Sequence, residues 1–254
     1  MALNEIIKSS NTRIKTGIAL IIAVLVIGYI DSFFIMWLLF GILLVVSINE
    51  SMKLYKMQSD SIYFYTGIIW FLAYFYPYPE DLVFLLALLY ASLIAYKKEI
   101  DRKLFLPLLY PTASFLFLLA LYSEYGVMSL LWLLVIVAGA DIGAYFVGRS
   151  MGKTKFCETS PNKTVEGVIG GVIVATLFGL IFSLENVSTF GAIVISIVVA
   201  LASVFGDLFE SYLKRLADVK DSGDILPGHG GILDRTDGYL FGGVVMLMIL
   251  RAVI

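Results

Sequence analysis

The longest strongly polar stretch of the chain, residues 206–238, contains most of the residues that could bind a metal ion or take part in catalysis. It lies between two apolar runs and holds six aspartates and the only histidine of the protein, His229. Four of its polar side chains follow the spacing of one helix face: Asp207, Glu210, Ser211 and Lys214. Ion pairs at a helix end would explain Glu210 and Lys214, but not Asp207, which directly follows the apolar run. Because charge between membrane-spanning segments is costly, the stretch predicts a functional site at the membrane surface.

A glycine-rich turn, Pro-Gly-His-Gly-Gly at 227–231, follows in the same stretch. This composition precludes a regular helix, and backbone N–H groups in such a turn can form a nest that binds an anion. A plain connection between helices is the alternative. Beyond the turn, Asp234 and Asp237 are spaced i and i+3 and should share a helix face. Such a pair suits a hard cation such as Mg²⁺, which takes one or two carboxylates together with phosphate oxygens.

Two further segments carry polar residues beside apolar runs. Asp141 and Tyr145 lie one helical turn apart within an apolar segment, where an ionisable residue indicates function; an ion-coupling role would look the same. Ser160, Lys163 and Thr164 precede the next apolar run, where a helix N-terminus favours an anion. Ordinary N-capping is the alternative for this second segment.

These elements together are the parts that phosphoryl or nucleotidyl transfer requires: carboxylates for a cation, a glycine turn, and hydroxyl and ammonium donors. The common phosphate-binding pattern G-x-x-x-x-G-K-[ST] is absent from the sequence. Cys157 is the only cysteine, which excludes an intrachain disulfide and a cysteine-based zinc site.

The composition predicts an all-α, polytopic membrane protein. Of 254 residues, 60% are hydrophobic and 15% are charged, and the mean hydropathy is +0.93. Since a spanning helix needs about 20 apolar residues, we predict about nine transmembrane helices. Their approximate bounds are 14–30, 32–48, 61–78, 82–96, 104–122, 128–147, 168–184, 189–209 and 239–254. Residues 1–127 would form an N-terminal half of about five spans, and residues 128–254 a catalytic half.

The distribution of positive charge orients these spans. With the N-terminus in the cytoplasm, nearly all lysines and arginines lie in cytoplasmic segments, and only Arg251 lies near the far side. The N-terminal segment shows no cleavage site and is expected to be a retained cytoplasmic arm. Both polar loops, 149–167 and 210–238, would therefore face the cytoplasm.

The same residues resemble a known family. Ser211-Tyr-Leu-Lys-Arg, Lys220-Asp221, the 227–231 turn and Asp234-Arg-Thr-Asp237 resemble the C-terminal signature of phosphatidate cytidylyltransferases, also called CDP-diacylglycerol synthases. The resemblance extends upstream through 141–149, 160–167 and 206–207, and thus covers the C-terminal half. Where this chain has Asn162 and Val165, the family often has Lys and Trp, which leaves Lys163 as the better phosphate-binding candidate.

The resemblance implies that CTP and phosphatidic acid react to give CDP-diacylglycerol and pyrophosphate, with Mg²⁺ required and a second cation left open. The lipid phosphate is already ionised near neutral pH, so no strong general base is needed. The expected metal ligands are Asp207, Asp234, Asp237 and Asp221. The expected catalytic residues are Asp207, Lys214, Asp234 and Asp237. The expected substrate-binding residues are Ser160, Lys163, Thr164, Ser211, Arg215, Lys220, His229, Gly230, Arg235, Asp141 and Tyr145.

The expected partners are CTP, phosphatidic acid and the lipid bilayer of the cell membrane, with no nucleic acid. Small residues along several spans are consistent with a homodimer.

Three alternative functions remain open from the residues alone. One is another nucleotide-dependent lipid transferase or kinase, acting on a polyprenol or an ether lipid. Another is a secondary transporter that uses Asp141 and Asp207 as coupling sites. The third, a structural scaffold, leaves the buried acids unexplained.

Overall fold

The computed structural model of the chain describes residues 2–97 and 102–254, with side chains from Ile14 onward. This part of the chain is helical, and it contains no β-strand beyond two isolated bridges, Lys155–Thr164 and Leu226–Gly230. The all-α prediction is therefore confirmed. Residues 98–101, between the predicted spans 82–96 and 104–122, lie outside the described residues, as do the side chains of the N-terminal arm before Ile14.

Nine α-helices follow one another along the described part of the chain. Their bounds are α1 Ala2–Ile30, α2 Phe33–Leu54, α3 Asp60–Ala73, α4 Leu82–Tyr96, α5 Phe105–Pro107, α6 Ser114–Met151, α7 Val165–Ile181, α8 Thr189–Ala217 and α9 Leu233–Val253. Helical turns at Pro79–Asp81 and Arg102–Leu104 and a π-helix at Leu108–Ala113 lie between them. The short α5 is a single turn and does not count as a span.

Five helical segments of the described chain are long and apolar enough to cross a membrane: Phe33–Leu54, Pro79–Tyr96, Arg102–Met151, Thr189–Ala217 and Leu233–Val253. Shorter apolar helices cover Ile14–Ile30 and Val165–Ile181. The long 102–151 segment is broken at Gly126, whose φ of 72° falls between the predicted fifth and sixth spans. The chain is thus a polytopic membrane protein, whereas the count of nine spans stays a prediction.

The boundary between the first two predicted spans, 14–30 and 32–48, is present at Asp31. Helix α1 ends at Ile30 and α2 begins at Phe33, and Asp31 has a positive φ of 44°. The Tyr122 hydroxyl donates a hydrogen bond to Asp31 Oδ1 at 2.8 Å. A hydrogen bond therefore joins the connection between α1 and α2 to the end of the first half of α6.

Loops that the charge pattern places on the far side of the membrane meet one another. Near the end of α9, Arg251 pairs with both Glu80 and Glu124. Arg251 lies seventeen residues after Asp234 on α9, which is about 25 Å along the helix axis. The polar stretch and the Arg251 cluster thus occupy opposite ends of the bundle, as the predicted topology requires, and the side that faces the cytoplasm stays a prediction.

Helices α6 and α7 pack at close range because glycines face each other. A Cβ atom on Gly143 would lie 2.8 Å from the Gly170 carbonyl oxygen and 2.9 Å from Gly171 Cα. One turn earlier, a Cβ on Gly139 would lie 3.1 Å from Ala175 Cα. This close approach sets the 152–164 loop, which joins the two helices, beside Asp141.

We predict that Gly143→Ala lowers the stability of the protein, since its methyl group would meet backbone atoms that cannot rotate away. Overpacking of this kind costs about 1–3 kcal/mol. Thermal unfolding in detergent measures the effect. Gly67→Ala on α3 is the control, because a Cβ there meets nothing within 4 Å. Equal melting temperatures for Gly143→Ala and the wild type would contradict the packing account.

Candidate active site

Three carboxylates converge where α8 and α9 cross. Oxygens of Asp207 and Glu210 on α8 and of Asp237 on α9 all lie within 4.8 Å of one another. Gly206 makes the approach possible, since a Cβ there would lie 3.1 Å from the backbone carbonyl carbon of Asp237. We call Asp207, Glu210 and Asp237 the carboxylate cluster. The sequence predicted Asp207 and Asp237 at the site, and the structure brings Glu210 in as the third member.

Two buried polar atoms beside this cluster have no hydrogen-bond partner among the described residues. They are Glu210 Oε1 and the hydroxyl of Tyr110. The Tyr110 ring packs against Phe209 and Phe241, with ring centroids 5.1 and 6.1 Å apart. Since a buried polar atom without a partner is costly, the vacant capacity at Glu210 points to a ligand that the protein does not itself supply. Three carboxylates in one place are the hard oxygen donors that suit Mg²⁺.

Two lysines reach the cluster from different sides. Lys163, in the loop before α7, forms an ion pair with Asp207. Lys214, two turns after Asp207 on α8, lies 2.5 Å from Glu210 Oε2 and 2.7 Å from Asp234 Oδ1. Both lysines were predicted at the site, and the structure brings both into ion pairs with members of the carboxylate cluster.

Asp141 belongs to the same electrostatic neighbourhood. Its carboxylate interacts with Asp207, Lys163 and Arg235, and it also acts on Asp237. The residue lies at the surface of α6, where the surrounding atoms still remove much of its hydration. The structure therefore brings Asp141 to the edge of the carboxylate cluster, and its role stays a prediction.

Asp234 has a different surrounding from Asp237. Its Oδ2 accepts hydrogen bonds from the backbone N–H groups of Ser222 and Gly231, both at 2.8 Å, and from the Ser222 hydroxyl at 3.0 Å. Its Oδ1 faces Lys214. Both oxygens of Asp234 are thus engaged by the protein, and the metal role of this residue stays a prediction. So does that of Asp221, which is exposed beside the turn.

The glycine turn supplies its N–H groups to the protein's own carboxylates. Gly228 and Gly230 have φ values of 76° and 86°, and the turn closes through a bond from Leu226 N to Gly230 O at 2.9 Å. The N–H of Gly231 is taken by Asp234. The next two N–H groups are taken by Glu50, a residue of α2. The sequence predicted that this turn binds an anion. For the N–H groups of Gly231, Ile232 and Leu233, the bound anions are carboxylates of the protein itself, Asp234 and Glu50.

Sequence reasoning missed Glu50 and Tyr110. Glu50 stands near the end of an apolar helix, where an acid next to a basic loop looks like an ordinary solvent-exposed residue. Only its burial, with 1% of the residue exposed, distinguishes it. Tyr110 resembles the many aromatic residues at membrane boundaries, so the sequence carries no signal that separates it from them.

The other predicted substrate-binding residues are spread around the site. Ser211 Oγ lies 3.4 Å from Asp207 Oδ1, and Arg235 Nε donates to the His229 carbonyl at 2.9 Å. Tyr145 accepts a hydrogen bond from Arg149 at 2.9 Å. Of the predicted substrate-binding residues, Lys163 and Ser211 are the ones that pair with a member of the carboxylate cluster in the described part of the chain; the others, among them Ser160, Arg215 and Lys220, do not. Their roles stay predictions.

The loop that carries Lys163 is held by Glu166 and Thr164. Thr164 Oγ1 caps α7 by accepting from Gly167 N at 3.1 Å, which is the N-capping alternative considered for this residue. The Glu166 carboxylate accepts from Lys153 N at 3.1 Å and from the Thr154 hydroxyl at 2.8 Å. Hydrogen bonds from its own backbone N–H and from Thr154 and Lys153 lower the pKa of Glu166 to about 2.

The fold and the site together define a polytopic helical membrane protein with a cluster of acids and lysines at one end of its bundle. Residues 11–253 match the model of the cytidylyltransferase family. The chain is 39% identical over 251 residues to the phosphatidate cytidylyltransferase of one Helicobacter pylori strain, covering 98% of this chain and 94% of that protein. The enzyme of that name from a second strain is 40% identical over 245 residues, or 95% of this chain and 92% of that protein.

A third similar protein matches over part of the chain. The phosphatidate cytidylyltransferase of Bacillus subtilis is 50% identical over 123 residues, which cover 47% of this chain and 46% of that protein. The family match and the near full-length relatives lead to one conclusion. This chain belongs to the cytidylyltransferase family, and the resemblance to that family is confirmed.

We predict that Glu166→Gln loosens the 152–164 loop, since an amide cannot accept all the bonds that the carboxylate accepts. Trypsin should then cut at Lys153 or Lys155 faster than in the wild type. Glu158→Gln in the same loop is the control.

The same contacts predict a pH dependence. Because the folded pKa of Glu166 lies below its ordinary value of 4.5, its contribution to stability is present above that pH and is lost as the pH falls towards 2. Pepsin cleavage of the wild-type loop, relative to cleavage of an unfolded substrate at the same pH, should rise over that interval, and a flat ratio would contradict the assignment.

Proposed function

We propose that this protein is a phosphatidate cytidylyltransferase, which converts CTP and phosphatidic acid to CDP-diacylglycerol and pyrophosphate. The observation that carries the proposal is the convergence of three carboxylates with Lys163 and Lys214 at one end of a membrane bundle. The family membership and the names of the near full-length relatives support it. They also favour a transferase over the transporter and scaffold alternatives.

The carboxylate cluster would hold Mg²⁺, since its donors are hard oxygens and Glu210 Oε1 has unused capacity. The ion supplies charge neutralisation for the nucleotide phosphates when it is bound. Glu210 joins the predicted ligands Asp207 and Asp237 in this assignment. Asp234 instead positions Lys214, because both of its oxygens already accept hydrogen bonds from the protein.

In the proposed reaction, an oxygen of the lipid phosphate attacks the α-phosphorus of CTP. A bond from this oxygen to phosphorus forms, and the bond from the α-phosphorus to the bridging oxygen of the β-phosphate breaks, so that pyrophosphate leaves. Lys214 and Lys163 reduce the repulsion between two anions and stabilise the charge that develops on the leaving group. No general base is needed, since the attacking phosphate is already ionised.

The remaining donors surround this centre. Ser160, Thr164, Ser211, Arg215, Lys220, His229, Gly230, Arg235, Asp141 and Tyr145 are proposed to bind or orient the substrates. Asp207 comes directly after an apolar run of α8, which supports a position of the cluster at the level of lipid headgroups. The positive-inside pattern supports a cytoplasmic site in the cell membrane, on the side where CTP is found.

The test uses the purified protein in detergent with phosphatidic acid, Mg²⁺ and CTP labelled in its cytidine. We expect the label to enter the organic-extractable lipid only when phosphatidic acid is present, and to stop when a chelator is added. Transfer of the cytidine label to an ether-lipid phosphate in place of phosphatidic acid, or of a label in the γ-phosphoryl group of CTP to a polyprenol, would support the alternative lipid enzyme. A folded protein that transfers no label to any of these lipids would overturn the proposal.

We predict that Asp207→Asn and Asp237→Asn each lower the turnover by at least about 100-fold, because each removes a charge that holds the cation. The same transfer assay measures the effect. Asp224→Asn, an exposed acid of the same loop, is the control and should retain nearly full turnover. Full activity of either cluster variant would remove that residue from the metal site.

A further inference from the structure

Glu50 is a buried acid that none of the reaction steps above uses. It lies near the end of α2, in the half of the chain that carries no part of the signature, with 1% of the residue exposed. Its carboxylate accepts from Ile232 N at 2.9 Å, from Leu233 N at 2.8 Å and from the Ser222 hydroxyl at 3.0 Å. All three donors are neutral, and all belong to the segment that leads into α9.

This arrangement makes Glu50 the cap of α9. The first N–H groups of a helix lack partners within the helix, and the N-cap residue here, Ile232, provides no side-chain acceptor. A carboxylate from α2 takes that place. The positive end of the helix dipole offsets part of the cost of burying the charge. The contact therefore fixes where α9 begins relative to α2.

Two glycines leave room for the Glu50 carboxylate. A Cβ on Gly223 would lie 2.5 Å from Glu50 Oε1, and a Cβ on Gly231 would lie 2.5 Å from Glu50 Oε2. Any side chain at either position would displace the acid. The second glycine of the Gly230-Gly231 pair thus serves the contact with α2 as well as the turn.

The contact continues into the carboxylate cluster. The Ser222 hydroxyl lies 3.0 Å from both Glu50 Oε2 and Asp234 Oδ2, so that its single proton bridges two acids. Asp234 in turn faces Lys214, and Lys214 faces Glu210. The first turns of α9, which begin at the Glu50 contact, also carry Asp237. An unbroken series of contacts therefore joins α2 to the proposed cation site.

We propose that Glu50 is a positioning residue of the transferase site, which sets the start of α9 so that Asp237 meets Asp207 and Glu210. The proposal rests on the proposed function. Its hydrogen-bond partners are Ser222, Ile232 and Leu233 rather than members of the cluster, so it acts through the backbone of α9 and through Ser222. Its loss would displace the ligands of the cation rather than remove one.

The test compares Glu50→Gln with the wild type in two measurements: cytidylyl transfer as a function of Mg²⁺, and Mn²⁺ affinity by electron paramagnetic resonance without substrates. Glutamine presents an N–H₂ group to one of the α9 donors, so that contact is broken. We expect the turnover number to fall at least about tenfold and the metal concentration for half-maximal activity to rise about fivefold or more, with the KM for CTP within about twofold. Mn²⁺ affinity should weaken in parallel.

A second variant and a control keep the outcome clear if Glu50→Gln folds poorly. Ser222→Ala keeps both α9 contacts and removes only the bridge, and its metal requirement should rise by about twofold. Glu185→Gln, an exposed acid in the predicted far-side loop, should change nothing. Wild-type metal dependence and Mn²⁺ affinity in the folded part of both variant preparations would overturn the proposal and leave Glu50 a structural contact.

The proposed function can fail separately. If the wild type transfers no cytidylyl group but binds Mn²⁺, the function is wrong, and the Mn²⁺ affinity of Glu50→Gln still decides the positioning role. If the wild type neither transfers the group nor binds Mn²⁺, both proposals are overturned.

Discussion

The compensation of buried negative charge around the start of α9 is the constraint on which the site depends. An acid removed from water is costly unless hydrogen bonds or cations replace its hydration. Glu50 is compensated by helix N–H groups, and Asp234 by Lys214 and backbone donors. The carboxylate cluster is compensated only in part, since Glu210 Oε1 has no partner among the described residues. A bound cation would supply the missing partner and offset the uncompensated negative charge of the cluster.

Close approach of the backbone allows so many acids to meet in one place. Gly206 lets α8 contact α9, and Gly143 lets α6 contact α7. The first contact brings Asp207 towards Asp237, and the second sets the loop of Lys163 beside α6. A larger side chain at either glycine would move a whole helix, so that charged groups from several segments would no longer converge.

Much of the site could be predicted from the sequence because local spacing determines it. Helix periodicity correctly placed Asp207, Glu210 and Lys214 on one face, and the apolar runs correctly indicated a membrane bundle with breaks near Asp31 and Gly126. The spacing of Asp234 and Asp237 was less informative. Residues three apart on a helix differ by about 60° in direction, which is enough to send one acid to Lys214 and the other to the cluster.

Glu50 could not be predicted in this way. Its partners Ile232 and Leu233 are more than 180 residues away in the chain. Neither charge pattern nor periodicity reports a contact at that separation, and an acid near a helix end has no local mark of burial. The same holds for Tyr110, whose hydroxyl finds no partner among the described residues, a fact that is evident only once α8 and α9 are packed around it.

We propose that the cation is held by Asp207, Glu210 and Asp237, with Asp234 engaged by the protein itself. The decisive measurement is an experimental structure of the protein soaked with Mn²⁺, with the anomalous scattering of manganese recorded. We expect an anomalous peak at the ligand distance of a divalent cation from carboxylate oxygens of Asp207 and Asp237. A peak bound instead by Asp234 and Asp221, with Lys214 displaced, would contradict it.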